Sequence, residues 1–213
     1  MALDVYDDYE QGELVRKWLA ENWTSIAMGI ALGLALIFGW QWWKAHRAGL
    51  NLAAAEQYEL FTTANSAGDK TRADAAAAVL ARDFPSNIYA TLAMSLKASS
   101  EAKAKDYKGA AASLQWAVAH APDAALKGLM QLRLARVQLA LGQPRDALAT
   151  VAAMDPRDFS AEAADVRGDA ELALGNQAAA RAAHEQALSD IKPDAPQRGL
   201  LKLKLDNLAI AGK

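Results

Sequence analysis

Hydrophobic and polar positions divide the chain into two unlike stretches. From Asn22 to Trp43 there is no charged residue: N-W-T-S-I-A-M-G-I-A-L-G-L-A-L-I-F-G-W-Q-W-W. As helix at about 1.5 Å per residue this run covers roughly 33 Å, enough to cross a hydrocarbon core of about 30 Å. Trp23 stands at one end and Trp40, Trp42 and Trp43 at the other, where indole rings settle at the two headgroup levels as interface anchors. A cleaved signal peptide fits poorly, because the run is long for an h-region and tryptophans stand where small residues precede a cleavage site. The pattern therefore predicts an acidic, partly amphipathic tail over 1–21, a transmembrane helix over 22–43 and a helical repeat domain over 44–213.

Within the span, Gly29 and Gly33 form a small-xxx-small pair that lets another membrane helix approach closely, a candidate partner face. Ahead of it, Leu14, Val15, Trp18 and Leu19 make an apolar stripe with Arg16 and Lys17 off that face. This segment fits either an interfacial helix or an extension of the membrane helix. Arg16 and Lys17 on one side balance Lys44 and Arg47 on the other, so the positive-inside count leaves orientation open. Residues 44–60 lack proline, which allows the membrane helix to run on into the repeats, with Gly49 as the flex point.

Beyond the span, apolar stripes of helical spacing recur at a fixed period. Ala73, Ala110, Ala147 and Ala180 are 37, 37 and 33 residues apart. Pro85, Pro122, Pro156 and Pro193 follow at intervals of 37, 34 and 37. Gly168, Gly175 and Ala180 have counterparts at the same offsets in Ala135, Gly142 and Ala147, and Ala187 follows Ala180 after seven more. Each unit thus reads as a helix, a tight turn at Gly142 or Gly175, and a second helix ended by proline, with small residues where two backbones come closest. This is the tetratricopeptide pattern, here degenerate and lacking most of the usual aromatic positions. The predicted fold is all-α: one N-terminal transmembrane helix, then a tetratricopeptide-like α-solenoid of four hairpin units. Gln197 to Ile210, with Leu200, Leu201, Leu203, Leu205 and Leu208, reads as a C-terminal capping helix.

Composition narrows the function classes. Alanine dominates a chain that is 53% hydrophobic but only 7% aromatic, which favours closely packed helices. The net charge is −2, and beyond residue 44 acids and bases are nearly balanced, which gives no footprint for nucleic acid. Cysteine is absent, which excludes disulfides and thiolate metal sites. His46, His120 and His184 do not fall at ligand spacing, and the i, i+4 pair Asp165 and Asp169 reads as a charged helix face. No nucleophile elbow, phosphate loop or dinucleotide fingerprint occurs. The sequence therefore predicts no catalytic residues, no cofactor or metal and no small-molecule substrate, and points to a protein-binding module.

Several segments together resemble the YfgM family, the tetratricopeptide-like ancillary subunit of the bacterial Sec translocon. They are V-Y-D-D-Y-E followed by V-R-K-W-L-A-E-N, the exit G-W-Q-W-W, L-R-L-A-R-V-Q, D-V-R-G-D-A and L-K-L-K-L-D-N-L-A-I. The resemblance implies a single-pass bacterial inner-membrane protein with a cytoplasmic N-terminus and a periplasmic C-terminal domain. Its implied partners are the SecYEG translocon and the membrane-bound chaperone PpiD, alongside membrane lipid and unfolded exported proteins. The alternative is a tetratricopeptide scaffold or regulatory adaptor for another envelope complex or stress-signalling pathway. In tetratricopeptide folds the first helix of each unit lines the concave groove, which here nominates Leu129, Leu132, Arg133 and Arg136 on one unit and Glu162, Asp165 and Asp169 on the next, a mixed-charge surface suited to weak, adaptable contacts.

Overall fold

The computed structural model describes residues 4–157 and 159–211, with side chains placed over 12–157 and 159–209. Residues 1–3 of the expected acidic tail lie outside the described residues. Among the described residues the chain is all-α and falls into two compact units, Met1–Leu50 and Asn51–Lys213. Helix α1, Asp4–Ser66, carries the apolar run and passes through Gly49. It is long and apolar enough to cross a membrane, with a mean hydropathy of 1.7 over a window of which nothing is buried.

The second unit is built from antiparallel hairpins. The last part of α1 pairs with α2 (Lys70–Asp83), α3 (Ile88–Lys103) with α4 (Tyr107–His120), α5 (Ala124–Ala140) with α6 (Pro144–Ala152), and α7 (Ser160–Ala173) with α8 (Gln177–Asp190). Helix α9, Arg198–Ala211, closes the stack against α8. The four prolines of the repeat pattern all fall just beyond the second helix of a hairpin, where a residue without an N–H cannot continue the helix.

One turn is used four times. Gly68, Lys105, Gly142 and Gly175 have φ of 74°, 63°, 72° and 83°. Each donates its N–H to the carbonyl three residues back: Asn65 (3.2 Å), Ala102 (3.0 Å), Leu139 (2.9 Å) and Leu172 (2.9 Å). The next N–H then reaches the carbonyl five back, as from Asp69 to Ala64 and from Asp106 to Glu101, both 2.9 Å. This doubly bonded C-terminal cap satisfies carbonyls that the helix end leaves unpaired. In the first two hairpins the residue after the left-handed one also caps the new helix, Asp69 accepting from the Arg72 N–H and Asp106 from that of Gly109. The second hairpin thus contains the same turn without glycine, which hides it from a search for glycine.

Five residues after each left-handed position comes the small residue of the repeat. Ala73 is 5% exposed, and Ala110, Ala147 and Ala180 are fully buried. Around them the core runs as four successive clusters with few large side chains: Phe61, Leu80, Met130 and Val166 are the larger fully buried apolar ones among the described residues. Alanine fills most other inner positions, so cohesion depends on close backbone approach rather than on side-chain volume. On α9, Leu201 and Leu208 are buried while Leu200 and Leu203 are more than half exposed.

Candidate functional site

In the first unit, Gly29 and Gly33 lie one turn apart on α1, and a Cβ at either would meet nothing within 4 Å. Among the described residues nothing covers their small-residue face. Trp23, Trp40 and Trp42 are each more than 60% exposed and Trp43 is 42% exposed. Trp40 and Trp43 lie 5.2 Å apart, Arg47 sits 4.6 Å above the Trp43 ring, and Trp42 stacks on His46 at 5.6 Å. An amphipathic ring paired with a cation suits the boundary between hydrocarbon and water.

In the second unit, the residues nominated for the groove do not share one environment. Leu129 is half-buried against the core formed by α3, α4 and α5, and Leu132 is buried between the third and fourth hairpins. Arg133 donates to Ser95 Oγ, tying α5 to α3. Arg136 is exposed and Glu162 half-buried, and neither has a side-chain partner among the described residues. Asp165 and Asp169 meet a cation instead: Lys204 Nζ on α9 lies 2.7 Å from the first and 2.8 Å from the second.

Those two carboxylates also bracket His184, whose side chain is 1% exposed. Nδ1 stands 3.2 Å from Asp165 Oδ1, and Nε2 stands 3.6 Å from Asp169 Oδ1. Neither ring nitrogen completes a hydrogen bond with good geometry. Burial alone pushes the Asp165 carboxyl up, but the nearby His184 ring and the Lys204 ammonium outweigh it and hold the group below the ordinary carboxylate value. Asp165, Asp169 and His184 bring three potential metal-ligand atoms within 4.8 Å of one another. The cation that sits on both carboxylates in this structure is the Lys204 ammonium. The cluster is a latch from α7 and α8 to the closing helix.

A second polar network joins α2, α3 and α4. Lys97 contacts Asp74 at 2.7 Å and Glu101 at 2.6 Å, and the Ser113 hydroxyl donates to Glu101 at 2.7 Å. Burial lowers the Lys97 value, but the two acids more than compensate and raise it; Asp74 is correspondingly held low by Lys70 and Lys97 against the opposing effect of burial. Only the i, i+4 spacing of Lys97 and Glu101 advertises this network in the sequence; the partners on α2 and α4 are brought in by the fold.

Stacked hairpins with a repeated left-handed turn, polar ties between neighbours and a closing helix define a tetratricopeptide-like repeat protein behind an N-terminal apolar helix. Residues 16–210 match the family model described as a tetratricopeptide repeat-like domain. A protein of Escherichia coli (strain K12) named ancillary SecYEG translocon subunit is 33% identical over 210 residues, covering 98% of this chain and 100% of that relative. A Haemophilus influenzae protein of the same name is 30% identical over 209 residues, again covering 98% and 100%, and one from Aggregatibacter actinomycetemcomitans is 27% identical over 205 residues, covering 95% and 99%. The chain belongs to the YfgM family.

Proposed function

We propose that this protein is a non-catalytic adaptor of bacterial protein export, held in the inner membrane by α1. In this reading the N-terminus is cytoplasmic and the repeat domain periplasmic. The repeat domain works beside the SecYEG translocon together with the membrane-bound chaperone PpiD, where unfolded exported chains emerge. The supporting observation is the extent of the likeness: the E. coli relative named for the translocon aligns over 98% of this chain, through the apolar helix as well as the hairpins. Stacked hairpins offer extended surface, which suits binding.

Purification of the full chain from its native membrane in mild detergent tests this reading. Recovery of SecYEG and PpiD with it is the expected result; recovery of a different stable partner without the translocon overturns it. Gly29 and Gly33 are the proposed contact face for a neighbouring membrane helix, so the Gly29→Leu, Gly33→Leu double variant should lose membrane partners while the hairpins stay folded. A reporter active only outside the cytoplasm, fused after Lys213, should be active; a silent but intact and membrane-bound fusion reverses the orientation.

A further inference from the structure

The first hairpin carries a groove that the rest of the stack does not fill. It holds ≈ 710 Å³ and is lined by α1, α2 and the turn between them. On α1 the lining positions 56, 60 and 63 follow helical spacing, and on α2 so do 72, 75, 76 and 79. Leu60, Ala64, Ala67, Ala75, Ala76 and Val79 give it an apolar floor, and Leu60 is 59% exposed. Helix α3 packs elsewhere on this hairpin, through Ala90 and Ala93 in the core shared with Ala73, Ala77 and Leu80.

The architecture states what shape belongs in such a groove. Further along the stack, the first helix of each hairpin receives the second helix of the hairpin before it: α2 packs on α3, α4 on α5 and α6 on α7. The first hairpin has no hairpin before it, so it lacks the helix that each later hairpin receives from its predecessor. The rim supplies the charge. Glu56 and Glu59 are exposed and have no cationic partner among the described residues, whereas Arg72, the lining cation, is taken up by Asp69 at 3.3 Å.

We infer that this groove receives an amphipathic α-helix from another protein, apolar on one side and carrying lysine or arginine along its flank. Leucine-sized side chains of the incoming helix meet Leu60 and Val79, and its basic flank meets Glu56 and Glu59. The inference is separate from the translocon reading, because it fixes the chemistry of a bound segment and not the identity of its owner.

The test uses the full chain in its native membranes, with a photo-reactive amino acid at Leu60 or at Val79, and identifies the cross-linked segment by mass spectrometry. Both positions should label one amphipathic, lysine- or arginine-flanked helical segment of another protein. The Glu56→Lys, Glu59→Lys variant should reduce that labelling by about tenfold or more with an unchanged thermal midpoint. Reversing the segment's own basic residues to glutamate should restore labelling in that variant. Four outcomes overturn the inference: no labelling from either position, labelling scattered over unrelated segments, labelling indifferent to the charge reversal, and labelling of residues 198–211 of a second copy of this chain. Co-purification of the translocon is read separately, so failure here leaves that reading standing.

Discussion

Gly168 on α7 and His184 on α8 occupy adjoining space so closely that a Cβ at 168 would stand 2.5 Å from the Cε1 of the ring and 2.6 and 2.7 Å from its nitrogens. The ring is fully buried. Gly168→Ala should therefore push α7 and α8 apart and cost about 1–3 kcal/mol, read as a lower urea midpoint. Combining it with His184→Ala should cost less than the sum of the two single changes. Additive costs would mean that the two residues do not contact one another in solution.

Lys105 holds φ 63° at a turn where its three equivalents are glycine. A left-handed conformation costs an L residue with a Cβ on the order of 1 kcal/mol, so Lys105→Gly should raise stability by up to about that amount. Chemical denaturation of the full chain in detergent checks it, and a lowered midpoint would refute it.

The latch on α9 should respond to acid. Because Asp165 is held below its ordinary value in the fold, its contribution is complete above the unfolded value near ~3.9 and is lost as pH falls through the depressed folded value. Asp165→Asn should destabilise the protein at neutral pH, and the gap from wild type should close as pH drops below ~3.9. Lys97 has the opposite sign: its raised value means a contribution complete below ~10.4 and lost as pH rises through the folded value. Urea midpoints of wild type, Asp165→Asn and Lys97→Met across the pH range measure both limbs.

Ala147 and Ala180 are fully buried at the close approaches of the third and fourth hairpins. Leucine at either should overpack the contact and cost roughly 1–3 kcal/mol. Thermal midpoints that stay within about a degree of wild type for both would displace the repeat register.

The repeat was legible because its requirements are local. A tight turn demands a left-handed residue, a close helix contact demands a small one, and a helix end tolerates proline, so 37-, 37- and 33-residue intervals survive in the sequence. The uncharged run to Trp43 was legible for the same reason. Lys105 was hidden because a lysine takes the glycine's place while the hydrogen bonds of the turn remain. Asp165 and Asp169 read as a plain charged face because their partners, His184 and Lys204, lie far along the chain on other helices. The groove on α1 and α2 was equally silent, since it arises from the absence of a neighbouring hairpin, which no residue spells out.

Lys204 lies on the last helix of the stack, so during synthesis it leaves the ribosome after both elements it fastens. For that interval the nascent chain displays two adjacent carboxylates without their ammonium partner. Only arrival of α9 supplies the ammonium and seats Leu201 and Leu208. A polypeptide interrupted upstream of Lys204 should therefore be digested faster at its final hairpin than the full chain, and limited proteolysis of the two measures the difference.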